Sequence, residues 1–151
     1  MTLGESILRL QKRLVGIVTG KNGKYHSDPI FAELGFLKIG DLYRQQIRLY
    51  AWKFWKNKLP SNQKGLLSKI KDVHGHNTRA ARSGLFMHTH DQRSLGYRVP
   101  KEWETVPQNL REAGGLQGFK KKSRNEFLSR YGTFECKDKN CYVCCRSARL
   151  V

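Results

Sequence analysis

DLYRQQIRLYAWKFWKNK, residues 41–58, decides the fold. Tyr43, Ile47, Tyr50 and Phe54 recur at steps of three and four, which places them on one stripe of an α-helix. Leu49, Trp52 and Trp55 widen that stripe beyond what a surface helix carries. The spacing therefore predicts a central helix covered on two sides, capped by Asp41, running to about Lys58 and closed by Pro60 and Ser61. A chain organised around such a helix is mainly α.

The same reading extends outward from it. Leu3, Ile7, Leu10, Leu14 and Val18 share one face of a helix over residues 3–19, with Arg9, Lys12 and Arg13 opposite. Thr2 and Glu5 have the spacing of a capping box, and Gly20 is placed to stop the helix. Asp28-Pro29 reads as an N-cap and first helical residue of a short helix to about Leu34, burying Ile30, Phe31 and Leu34. Beyond the central helix, residues 65–73 predict a short helix and 75–82 a loop. Leu85–His88 and Leu95–Val99 predict the two strands of an antiparallel hairpin. Pro100 and Pro107 bracket a turn-rich stretch containing Trp103. A last helix over 116–131 uses Leu116, Phe119, Phe127 and Tyr131 as its apolar face and carries Lys120–Lys122 on its polar face. The expected fold class is thus mainly α (α+β). Residues 1–131 form a small basic helical domain with one short hairpin, and 132–151 form a Cys-rich basic tail.

Charge narrows the function. Twenty-nine Lys and Arg against twelve Asp and Glu leave a formal charge of +17. That excess points to a polyanion as partner, because each phosphate neutralised releases condensed counterions. Aromatic residues lie between the basic ones, which suits an RNA- or DNA-binding module. The residues expected to meet phosphates are Lys12, Arg13, Arg44, Arg48, Arg79, Arg82, Lys120, Lys121, Lys122 and Arg124. The plainer reading of the lysine run is a solvated helix face. The tryptophans, at helical spacing with other apolar residues, read as core. No apolar run approaches the roughly 20 residues of a membrane span. The basic residues Arg9, Lys12 and Arg13 break up any signal-peptide apolar region, so an intracellular chain, nuclear or cytoplasmic, with reduced thiols is expected.

Cys136, Cys141, Cys144 and Cys145 are the candidate metal ligands. A Cys-x2-Cys turn such as Cys141 to Cys144 presents two thiolates to one zinc ion. Cys145, adjacent to Cys144, points elsewhere, which opens the fourth position to His74, His76, His88 or His90. Reduced tail thiols without metal are the alternative. The pairs His74/His76 and His88/His90 are a second candidate metal site, set against ordinary loop histidines. Neither a Gly-x-Ser-x-Gly elbow nor a phosphate-binding Gly-Lys-Ser/Thr loop is present, and no two acidic residues are adjacent.

The order of several short motifs resembles a known family. Leu10-Gln11-Lys12-Arg13, Asp28-Pro29-Ile30-Phe31 with Leu34 and Leu37, Asp41-Leu42-Tyr43 and Leu59-Pro60 match its first half. Asn77-Thr78-Arg79, Trp103 with Pro107, and Phe119-Lys120-Lys121 match its second. Over residues 7–131 the chain resembles the region after the polymerase domain in non-LTR (LINE, jockey-like) retrotransposon reverse transcriptases. Some relatives in that family also end in a short cysteine cluster. The resemblance implies RNA-directed DNA synthesis by the parent protein, with this portion holding RNA template or DNA target beside the polymerase domain. It transfers no catalytic residue, since the magnesium-binding carboxylates of a polymerase have no counterpart here. It gives Arg79 weight as a nucleic-acid contact, against the reading of a loop arginine that holds backbone carbonyls. Two other classes stand beside it: a zinc-stabilised protein-interaction module, and a degenerate fragment without independent function.

Overall fold

The structure is a computed structural model, and it describes residues 3–21, 25–73, 84–89 and 91–132. Along the chain these form α1 (Leu3–Val18), α2 (Ser27–Glu33), α3 (Ile39–Trp55), a 3-10 helix (Ser61–Leu66), β1 (Ser68–Lys69) and α4 (Ile70–Val73). Then follow β2 (Leu85–Phe86), α5 (Leu95–Glu104), α6 (Gln108–Arg111) and α7 (Leu116–Gly132). The fold is mainly α, with one two-stranded antiparallel sheet among the described residues. Contacts group the chain into two units: residues up to Leu42 with those from Arg124 on, and Tyr43–Ser123.

Three helices end in the same way, and the sequence shows why. A Schellman motif needs a residue at positive φ just past the helix, bonded back by two amides to the last turn. Gly20 (φ 64) and Gly35 (φ 66) supply it for α1 and α2, and Asn57 (φ 55) supplies it for α3. After α3 the Asn57 amide donates to the Phe54 carbonyl at 3.0 Å and the Lys58 amide to the Lys53 carbonyl at 2.7 Å. Asparagine tolerates this conformation better than any bulky residue would.

In the Tyr43–Ser123 unit, α3 buries Gln45, Ile47, Arg48, Leu49, Ala51 and Trp52, an arc spanning more than half of its circumference. Trp52 stacks on Phe119 of α7 at 5.8 Å between ring centroids, and Trp103 of α5 lies 6.5 Å from the same ring. Val99, Val106, Leu67, Leu85, Leu110 and Ala113 belong to the same core.

The middle of this unit departs from expectation. β2 keeps only Leu85 and Phe86 of the expected strand and pairs with β1, with Ser68 opposite Phe86 and Lys69 opposite Leu85. Leu95–Val99 is no strand but the start of α5, and Trp103 lies in that helix rather than in a turn. Leu95, Tyr97 and Val99 alternate as a strand would, yet the residues that find the core are Val99, Pro100 and Trp103, which lie along one side of a helix. Pro100 costs a helix interior about 3 kcal/mol, and complete burial of Val99 and Trp103 offsets it. The helix expected over 65–73 divides into the end of the 3-10 helix, β1 and α4. The loop expected over 75–82 lies outside the described residues. Arg111 closes the far end of α5. Its Nε donates to the Val106 carbonyl at 2.9 Å and its Nη2 to that of Trp103 at 2.8 Å.

In the other unit Val15, Ile30, Phe31, Leu37, Phe127 and Tyr131 form the core. Neither expected aspartate cap is present. Asp28 sits in the first turn of α2, where its carboxylate accepts Lys38 Nζ at 2.6 Å, and the residue before that helix is His26. Asp41 lies within α3, which begins at Ile39, and its carboxylate accepts the Tyr131 hydroxyl. In both cases the carboxylate is bonded to a partner elsewhere in the fold.

Tyr131 links three segments: its oxygen also accepts the Lys38 amide at 3.3 Å, and Lys38 Nζ lies 4.5 Å above its ring. Burial, and then donation to Asp41, hold the phenol well above its ordinary pKa of 10.0. A raised acid of this kind favours folding fully below pH 10.0, and loses that contribution as pH climbs from there toward the raised value. Tyr131→Phe is therefore expected to cost about 1.5–3 kcal/mol near neutrality and to flatten the alkaline loss of stability. Urea unfolding at pH 8 through 11 checks this; equal slopes in variant and wild type would contradict it.

Candidate nucleic-acid interface

The site begins at the end of α3. The Schellman motif at Asn57 turns the chain back so that the Lys58 amide bonds the Lys53 carbonyl, which sets two lysines side by side. Across from them the first turns of α7 carry Leu116, Gln117 and Lys120. Buried Gln45 fixes that spacing, since its Nε2 donates to the Lys120 carbonyl at 3.2 Å. Between the walls lies a groove of about 740 Å3, lined by Gln46, Leu49, Tyr50, Lys53, Lys58, Leu59, Pro60, Gln63, Leu116, Gln117 and Lys120.

Three lysines, three glutamine amides and the Tyr50 ring line this groove, and among the described residues no carboxylate does. Among the described residues no ion pair engages Lys53, Lys58 or Lys120. Lys58 Nζ lies 5.4 Å over the Trp52 ring, a weak tether that leaves its charge available. The Tyr50 hydroxyl is buried from water yet has no hydrogen-bond partner among the described residues. Leaving such a group unmade costs about 1–3 kcal/mol. Burial pushes its pKa above 10.0, so near neutrality it stays a proton donor. Chemically the groove offers cations, neutral donors and an apolar floor to an extended anion.

The residues singled out in the sequence separate. Of the run Lys120–Lys122 only Lys120 lines the groove, because successive helical residues turn about 100° apart; Lys121 and Lys122 are exposed elsewhere on α7. Arg48 is a correction. Its side chain is completely buried, with Nε on Glu102 Oε1 at 2.7 Å and Nη2 on Thr105 Oγ1 at 3.2 Å, so it holds α3 to α5 and reaches no phosphate. Arg44 is partly exposed and bonds the other oxygen of Glu102 at 3.0 Å. Arg124 donates to the Gly35 carbonyl in the other unit, where Lys12 and Arg13 are exposed on α1. Arg79, Arg82, Cys136, Cys141, Cys144 and Cys145 lie outside the described residues, as do His74, His76 and His90. His88 is exposed and meets the Phe86 ring edge-on at 5.2 Å. Among the described residues no three Cys, His, Asp or Glu side chains cluster as metal ligands would.

Lys53, Lys58 and Tyr50 were visible in the sequence but not as a site. Gln46, Tyr50 and Lys53 follow one another at steps of four and three along α3, so they share a face. Only the turn at Asn57 brings Lys58 to join them. No helix among the described residues is long and apolar enough to cross a membrane. No family model, curated protein or solved structure matches the chain.

Proposed function

We propose that this chain is a non-catalytic nucleic-acid-binding module that holds an RNA or DNA strand in the groove of Lys53, Lys58 and Lys120. The observation that carries this reading is the groove's composition: among the described residues, three lysines that no ion pair engages and no carboxylate in the lining. The ammonium groups meet successive phosphates, and the glutamine amides add neutral hydrogen bonds to phosphate or sugar oxygens. Contacts of this kind position a strand without reading its sequence. The ordered motifs from Leu10 to Lys121 support a role for the module as the C-terminal portion of a retrotransposon-type RNA-directed DNA polymerase, keeping template or target close to the polymerase domain.

The test is fluorescence anisotropy of the purified chain with a structured RNA and with a DNA duplex, repeated across salt concentrations with excess competitor. Three phosphate contacts give a slope of log affinity against log salt of roughly −2 to −3, and one nucleic-acid form is expected to survive competition. Binding indifferent to salt, or lost equally for both forms, would overturn the reading.

A further inference from the structure

The spacing that marks α1 as amphipathic also picks out a face that stays open. Leu3, Leu10, Leu14 and Ile17 are 78%, 62%, 61% and 68% exposed. Together with Ile7 they follow steps of four, three, four and three, the a/d alternation of a coiled-coil seam, with Ile7 and Leu14 at a and Leu3, Leu10 and Ile17 at d. The helix is anchored by its other side. Val15 and Gly16 are the buried residues of α1, and the Tyr25 hydroxyl donates to the Lys12 carbonyl at 2.5 Å while packed against Gly16. A Cβ on Gly16 would come within 2.1 Å of that hydroxyl oxygen, so this face is closed. Gln11, beside the seam, accepts the Ile39 amide at 2.8 Å and fixes which way the seam points.

Charge and shape say what fits the open face. Arg13 flanks the seam and Arg9 lies one turn before it, and Arg9, Leu10 and Arg13 share one shallow cleft with Ser6. Arg13 takes the g position, where coiled coils place the charge that selects a partner. A second copy would bring another +17 to the contact. A lipid surface favours a wide apolar face with aromatic anchors, whereas α1 has no aromatic residue and its open apolar face, with Val18, spans about 100° of arc. We infer that α1 docks an acidic amphipathic helix of another protein, which packs its own a/d residues on Leu3, Ile7, Leu10, Leu14 and Ile17 and sets carboxylates against Arg9 and Arg13. This surface is independent of the nucleic-acid groove.

The probe is a synthetic three-heptad helix with Leu at a and d and Glu at e and g, its binding to the full chain followed by fluorescence anisotropy. Leu10→Ser with Leu14→Ser is expected to weaken it roughly tenfold or more, and Arg9→Ala with Arg13→Ala to weaken it and flatten its salt dependence. Because these side chains are exposed, circular dichroism should be unchanged. A Lys-bearing analogue and an acidic peptide of scrambled pattern should bind weakly. Equal binding by the scrambled peptide, or by the double-serine variant, would overturn the inference. So would a self-association in sedimentation that the serine variant loses, or seam-dependent binding to phosphatidylserine vesicles without binding to the acidic helix.

Discussion

Glu102→Ala is expected to lower the unfolding free energy by about 3–5 kcal/mol, because it strips a buried cation of its counter-charge. Arg48 is completely buried, and the Glu102 carboxylate takes its Nε at 2.7 Å and that of Arg44 at 3.0 Å. Arg44 lies at the margin with a partly exposed side chain, so water replaces what it loses. Arg48 is out of reach of water, and the Thr105 hydroxyl that it also meets at 3.2 Å is neutral. Removing both charges at once is a different matter: Glu102→Ala combined with Arg48→Met should recover part of the loss, since no buried charge is then left without its counter-charge. Urea denaturation of wild type, single and double variants measures both effects. A loss under about 1 kcal/mol in the single variant, or additive losses in the double, would show that the pair is not the tie between α3 and α5.

Lys53→Ala, Lys58→Ala and Lys120→Ala together are expected to flatten the salt dependence of nucleic-acid binding by about 2 to 3 units of slope, close to one for each phosphate contact removed. The control is a triple variant with the same loss of charge elsewhere: Lys56, Lys71 and Lys121 are exposed and none lines the groove. If the groove holds the strand, the control keeps most of the slope. Matching losses in the two variants would mean that affinity follows net charge alone, and the groove would lose its assignment. The control variant replaces exposed residues only and should unfold at the midpoint of the wild type, while the groove variant loses the Lys58 contact over Trp52 and should unfold within about 1 kcal/mol of it.

How legible these features are in the chain depends on the distance over which they are decided. The last helix was readable almost residue for residue, because Phe119, Phe127 and Tyr131 are buried at helical spacing in their own segment. The central helix was readable for the same reason in Ile47, Leu49 and Trp52, while Tyr43 of the expected stripe is exposed and Tyr50 and Phe54 are half-buried. Leu95–Val99 was misread because a short run of apolar and polar residues in alternation suits either period, and the packing of Val99 and Trp103 made the choice. Arg48 looks like any surface arginine until Glu102, 54 residues away, is placed beside it. In α1 the spacing identified a face but not its surroundings; Gly16 could approach Tyr25 where the leucines could not, so the core took the other side. The groove was least legible of all. Its lysines were plain, but their convergence depends on a positive-φ Asn57 and on a hydrogen bond from Gln45 to the backbone of a helix 75 residues on.

The most direct test of the groove is photochemical cross-linking of the intact chain to a uridine-rich RNA and a thymidine-rich DNA, with the attachment sites mapped by peptide mass spectrometry. Cross-links are expected to concentrate at Tyr50 and in the peptides carrying Lys53, Lys58 and Lys120, and to fall away in the triple-alanine variant. Cross-links confined to residues outside 46–63 and 116–120 would contradict it and move the interface to another face of the molecule.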